Sequence, residues 1–88
     1  MKISYTEPFL KDYRSLPPFT QKAFDKALKF LLQNPRHPSL RAKRLPGTLI
    51  FYSRITKSYR FTFQYEDETM ILRRAGTHDI LNSERRRN

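Results

Sequence analysis

The 88-residue sequence contains no cysteine, which excludes a disulfide framework and a thiolate nucleophile. Its only histidines, His37 and His78, stand far apart and cannot by themselves close a zinc site. No metal and no cofactor is therefore expected. Glycine is scarce, with 2 residues, and nothing resembles a glycine-rich phosphate loop. There is no internal repeat and no Ser/His/Asp arrangement. Long hydrophobic runs are also missing: Met1 to Tyr5 carries Lys2 but no apolar stretch of signal-peptide length, and no window approaches the roughly 20 apolar residues that span a bilayer. The expectation is a soluble, cytoplasmic protein without a membrane partner. Acidic residues are few as well, 8 Asp+Glu against 18 Lys+Arg, leaving a formal net charge of +10. On so small a surface such an excess attracts polyanions, and nucleic acid is the expected partner class. A membrane-surface binder, a ribosomal-type protein and an ordinary core inside a solvated charged shell are the competing readings.

What is present suffices for one core. Hydrophobic residues make up 38% of the chain and aromatic residues 14%, enough for a single compact domain and too little for two. At this size only about 60–65% of the unfolded surface is buried, so a bound partner adds appreciably to stability.

Lys2 to Thr6 alternates polar and apolar residues, the period of a half-buried strand. Thr6 or Glu7 followed by Pro8 predicts a helix start, since proline at the first helical position gives up a donor that has no partner there. Phe9, Leu10, Tyr13 and Leu16 share one side of that short helix, which Pro17 and Pro18 end. From Phe19 to Gln33, Ala23, Phe24, Ala27, Leu28, Leu31 and Leu32 recur at three- and four-residue steps, predicting a second helix that Asn34-Pro35 stops. The two form a helical hairpin. Pro35 to Gly47, with Arg36, Arg41, Lys43 and Arg44, has the composition of an irregular basic connection. Leu49 to Ile55, Tyr59 to Tyr65 and Met70 to Ala75 are then rich in β-branched and aromatic residues and read as an antiparallel meander.

The register of the meander follows from its two faces. A three-residue turn at Thr56-Lys57-Ser58 sets Phe51 opposite Phe63, Ile55 opposite Tyr59 and Arg54 opposite Arg60; a two-residue turn would mix the faces. The longer turn gathers Tyr52, Arg54, Arg60 and Arg73 on the face away from the helices, with the other face as core. Like charges directly opposed across a strand pair cost up to about 1 kcal/mol, so the Arg54/Arg60 pair calls for an anion such as phosphate. The alternative is that both guanidiniums splay into water or pair with Glu66 or Asp67. The polar tail from Ser83 onward is expected to fray.

Three strings carry a family resemblance: Asn34-Pro35-Arg36-His37-Pro38-Ser39-Leu40 after the second helix, Tyr59-Arg60 opening a strand, and Leu72-Arg73-Arg74-Ala75-Gly76-Thr77-His78-Asp79 near the end. With the order strand, helical hairpin, meander, the chain resembles the RelE/ParE toxin superfamily, most of all its RelE and YafQ-like branches. The resemblance implies an α+β fold in which an N-terminal strand, a helical hairpin and an antiparallel β-meander form a four-stranded sheet packed on the helices. It covers residues 1–82 as a single domain, with 83–88 as a basic C-terminal tail.

It further implies a toxin of a toxin-antitoxin system, held inactive by an antitoxin, that cuts mRNA on the ribosome without a metal. In such enzymes the ribose 2′-hydroxyl attacks the adjacent phosphorus and leaves a 2′,3′-cyclic phosphate. By resemblance Arg60 binds the phosphate, Arg54 is a basic catalytic residue beside it, His78 is the general acid, and Arg74 either clamps the same phosphate or orients His78. An imidazole with an unperturbed pKa of about 6.5 suits proton transfer near neutrality. Lys43, Arg44, Tyr52, Arg73 and Asn82 are the expected RNA contacts. Tyr52 replaces the Glu or Lys that relatives carry, and Asn82 their Phe or Tyr, so no general base is evident. His37 is read as structuring its loop. Two other functions suit the same fold: a ParE-like poison of DNA gyrase, and a catalytically weak basic module held by an antitoxin.

Overall fold

Thr6 is the hinge between the first strand and the first helix. In the computed structural model, which describes residues 1–34 and 36–86, β1 runs Lys2–Tyr5 and α1 runs Glu7–Ser15. The Thr6 side-chain oxygen accepts from the Phe9 N–H at 3.3 Å and donates its own proton to the Leu72 carbonyl at 2.8 Å. One residue thus caps the helix and ties it to the sheet. Leu16 ends α1, and α2 spans Pro18–Gln33 with its stop at Asn34. Pro35 lies outside the described residues.

A single 3-10 turn, Pro38–Leu40, leads into β2, Lys43–Arg44, and then β3, Phe51–Arg54, β4, Tyr59–Glu66, β5, Thr69–Thr77, and α3, Asp79–Arg86. The sheet order is β1-β5-β4-β3-β2, with β1 parallel to β5 and the remaining neighbours antiparallel. The α+β fold and the predicted order of elements hold. The sheet has five strands rather than four, because Lys43 and Arg44, read as part of an irregular connection, pair with Tyr52 and Phe51 at the sheet edge. Two residues are too short a stretch to show a period.

The main core lies between the sheet and the α1/α2 hairpin. Phe9, Phe24, Leu31, Leu40, Phe61, Phe63, Met70 and Leu72 are buried there, and Phe24 meets Phe61 edge-on with ring centroids 5.0 Å apart. Each such side chain contributes about 1.5–3 kcal/mol by leaving water. The predicted register is observed: Phe51 faces Phe63 and Arg54 faces Arg60.

The second face differs from expectation. Leu45, Ile50, Ile80 and Leu81 form a smaller buried cluster with Tyr52 packed against it, so that α3 covers part of the sheet opposite the hairpin. The segment from Ser83, expected to fray, continues α3 to Arg86, and the boundary drawn between 82 and 83 falls inside the helix. Its anchor is Glu84, 1% exposed, whose carboxylate accepts from Arg73 Nε at 2.7 Å and from the Thr62 hydroxyl at 3.0 Å. The helix looks polar in sequence because its anchor is an ion pair. Residues 87 and 88, with the last arginine of the expected basic tail, lie outside the described residues.

A β-bulge shapes the same region. Thr62 pairs with Arg74 while the next residue, Phe63, pairs with Leu72, which leaves Arg73 as the extra residue of β5. A bulge twists its strand and re-aims side chains. Here it sends two successive arginines to two different carboxylates.

Candidate functional site

Because α3 covers only part of the second face, the end of the sheet nearest the β3–β4 turn is left open. Phe61 and Phe63 point into the main core, so the alternation of β4 turns Arg60 to the opposite side. Arg54 is its partner on β3, and on β5 the partner is Gly76. A Cβ at Gly76 would lie 3.0 Å from the Ile80 side chain. The absent side chain thus lets α3 start close to the sheet beside Arg60.

Arg60 is half-buried and held by its own turn. One terminal nitrogen, Nη1, donates to the carbonyls of Thr56 at 2.7 Å, Tyr59 at 2.9 Å and Lys57 at 3.3 Å. These bonds fix the guanidinium and satisfy one edge of it without neutralising its charge. Burial lowers its pKa from the ordinary guanidinium value, and the charges of Arg54 and then Arg41 lower it further, while Tyr52 acts in the other direction. Among the described residues, neither Arg54 nor Arg60 has a carboxylate partner. The expected alternative, pairing with Glu66 or Asp67, is not what occurs. Charges of one sign held in register without a counterion favour any anion that reaches them.

His78 leaves the sheet at the same end. Thr77 is paired with Tyr59 and Gly76 with Arg60, and His78 follows directly as the turn into α3, its carbonyl accepting from the Leu81 N–H at 3.0 Å. Its ring is exposed and makes no hydrogen bond to a described residue. Tyr52 lies on the same face as Arg54, half-buried against the small cluster under α3. Lys43, directly opposite Tyr52, shares that face at the sheet edge.

Four expected site residues stand elsewhere. Arg74 Nε donates to Asp12 Oδ2 at 2.6 Å, and the same oxygen accepts from the Ala75 N–H at 3.0 Å. This carboxylate clasps the edge of β5 beyond the end of β1 and raises the Arg74 pKa, chiefly through the hydrogen bond. Arg74 pins α1 to the sheet and does not join the Arg54/Arg60 pair. Arg73 spends all three nitrogens on Glu84 and on the Gln64 side-chain oxygen, so it fastens α3 rather than offering an open contact. Arg44 is opposite Phe51 and therefore on the other face from Lys43. Asn82 is exposed on α3 while Leu81 and Glu84 point inward. His37 stacks on Phe30 with ring centroids 4.8 Å apart, in keeping with a structural role in its loop.

Arg41 was not singled out from sequence, yet it is near enough to lower the pKa of Arg60. Nothing in its loop distinguished it from Arg36 or Arg44. Only the fold of β2 onto β3 brings it close. Among the described residues, no group of three or more Asp, Glu or His side chains is arranged to hold a metal ion, and no helix is long and apolar enough to cross a membrane.

No family model matches the chain, and no curated protein sequence does. Solved structures do. A copper-bound mutant toxin from Helicobacter pylori is similar at TM-score 0.75 and 19% identity, covering 92% of this chain and 98% of that one. A YoeB/ParE toxin from Agrobacterium tumefaciens is similar at TM-score 0.75 and 16% identity, over 89% and 99% of the two chains. The RelB-RelE antitoxin-toxin complex from Methanococcus jannaschii is similar at TM-score 0.71 and 19% identity, over 92% and 96%. The matches span 96–99% of those chains, and this chain shares the fold of these toxins.

Proposed function

We propose that this chain, built on the RelE/ParE fold, is the toxin of a toxin-antitoxin pair and cuts mRNA in the cytoplasm without a metal. The observation that carries the reading is the Arg54/Arg60 pair, opposed in register, without a carboxylate partner among the described residues, and left open beside the start of α3. In the reaction the 2′-oxygen attacks the adjacent phosphorus and the bond to the 5′-oxygen breaks. Negative charge builds on the phosphoryl oxygens, and the two guanidiniums offset it where it grows. Arg60 is already oriented by three carbonyls, so little reorganisation is needed. His78, at the same end of the sheet, gives the proton to the departing 5′-oxygen, a role worth roughly 10²- to 10⁴-fold. Tyr52 and Lys43 border the pair and line the path of the RNA.

The 2′ proton needs an acceptor, and a phenol of ordinary pKa about 10 is a weak base at pH 7. Ribosome dependence answers this lack: the ribosome positions the message and contributes the missing group. The antitoxin, fittingly, is a small protein with an acidic segment that covers the Arg54/Arg60 end of the sheet. Mapping of mRNA 5′ ends by primer extension after induction tests the reading, with purified reactions with and without ribosomes beside it. New ends inside codons are expected. Intact messages beside accumulating broken DNA would show gyrase poisoning instead.

A further inference from the structure

We infer that Arg41 is a third RNA-backbone ligand, extending the Arg54/Arg60 pair of β3 and β4 to the segment before β2 and engaging the phosphodiester next to the one held by Arg54 and Arg60. The inference rests on the RNA-directed function proposed above and extends it to a residue that neither the sequence pattern nor the family resemblance singled out.

Geometry places it. Lys43 pairs with Tyr52 and Arg44 with Phe51, so the chain entering β2 approaches β3 at its Arg54 end, and Arg41, just before β2, is near enough to Arg60 for its charge to act on that guanidinium. The segment is tied to β3 by the Ser53 hydroxyl, which donates to the Leu40 carbonyl at 3.1 Å. Leu40 is buried in the main core and Ala42 packs against that core. Both neighbours are turned to the hairpin side, while Arg41 is exposed and its charge reaches Arg60. Adjacent strands lie about 4.8 Å apart, which sets β2 roughly 10 Å from β4 at the backbone, a separation suited to the next phosphate along a strand.

The backbone supplies an independent observation. Arg41 has φ 49°, in the left-handed region. A glycine adopts this conformation without penalty, whereas a side chain there is strained. Arg41 makes no ion pair with a described residue that would offset the strain. A long cation kept at a position that favours glycine, beside two others without a counterion, is a feature of ligand binding rather than of folding.

The substitution Arg41→Gly separates the two roles, because relief of strain and loss of a ligand move opposite readouts. The purified full-length chain is titrated by fluorescence anisotropy with a 2′-O-methyl RNA octamer, which cannot be cleaved, over a series of salt concentrations, and thermal unfolding is recorded alongside. Arg14→Ala, on the exposed end of α1 away from these arginines, reports what loss of one charge does through the general field. For Arg41→Gly the expected loss of affinity is about 5- to 10-fold, that of a charge-assisted contact near the surface. The slope of log K against log salt becomes shallower by about 0.7, the value for one phosphate contact to a single strand. The melting temperature stays level or rises, and Arg14→Ala changes affinity less than twofold. Parent-like affinity and slope in Arg41→Gly, an equal loss in Arg14→Ala, or a falling melting temperature would each overturn the assignment of Arg41 while leaving the RNA reading in place. A parent chain that does not bind the octamer would overturn both.

Discussion

Removing the carboxylate of Glu84 is the most direct perturbation of the platform that borders the site. The Glu84 side chain is 2% exposed and its partner Arg73 27%, so the two halves of the pair have unequal alternatives. Breaking a fully buried pair costs about 3–5 kcal/mol, largely because the surviving charge is stranded. In Glu84→Ala the survivor is Arg73, which still reaches water and Gln64. The expected loss is therefore at the lower end, about 2–3 kcal/mol, including roughly 1 kcal/mol for the orphaned Thr62 hydroxyl. For a domain of this size that lowers Tm by about 10–20 °C. In Arg73→Ala the survivor is a carboxylate sealed beneath α3, and the cost rises to about 4 kcal/mol. Urea unfolding followed by circular dichroism measures both variants. A Glu84→Ala cost below about 0.5 kcal/mol, or one exceeding that of Arg73→Ala, would refute the argument that a buried ion pair docks α3.

Arg60→Lys keeps the charge but loses the planar fork that grips the turn carbonyls and, on the proposed reading, a phosphate; growth arrest on induction should be lost although the chain still folds, by circular dichroism at matched expression. His78→Gln should slow single-turnover cleavage on ribosomes by about 10²- to 10⁴-fold with RNA affinity nearly unchanged, because an amide keeps a hydrogen bond but moves no proton. Arg74→Ala should lower stability by about 1–2 kcal/mol in urea unfolding while growth arrest persists, since its partner is Asp12 on α1 and not the substrate. Burial, joined at Tyr13 by Asp25, raises the phenol pKa of Tyr13 and Tyr65, so their contribution to stability is complete below the unfolded phenol pKa of about 10 and is lost as pH rises through the folded values; ultraviolet phenolate titration beside unfolding checks this.

Sequence revealed most about elements whose residues obey a simple period. The α2 stripe and the β3/β4 alternation each admit one packing, and the choice of a three-residue turn between Arg54 and Arg60 depended on keeping aromatic and cationic residues on separate faces. That choice set Arg54 opposite Arg60, as observed. Lys43-Arg44 was illegible as a strand because an edge pair of two residues is formed by its neighbour, not by its own pattern. The α3 helix was missed for a different reason. Its buried residues, Ile80, Leu81 and Glu84, include a carboxylate, and a buried charge looks like a solvated one until its partners Arg73 and Thr62 are in place.

The fate of the arginines shows why charge composition locates a site only after the carboxylates are assigned. Four arginines stood as candidates, Arg54, Arg60 and Arg74 at the phosphate and Arg73 as an RNA contact, and a regular β5 would have alternated the last two between the faces. The bulge at Arg73 breaks that alternation and delivers each to an acid, Glu84 and Asp12. These two ion pairs fasten α3 and α1 respectively. Among the described residues, what remains without a carboxylate partner on the second face is the Arg54/Arg60 pair, with Lys43 at the sheet edge, and the acids that might have neutralised it, Glu66 and Asp67, lie at the far end of β4 beyond Gln64. The same separation that leaves the pair open to an anion raises the cost of leaving it bare. On the proposed reading, an acidic partner segment that covers the pair would stabilise the folded chain and block the RNA path in one step, with an affinity expected to weaken as salt screens the contact.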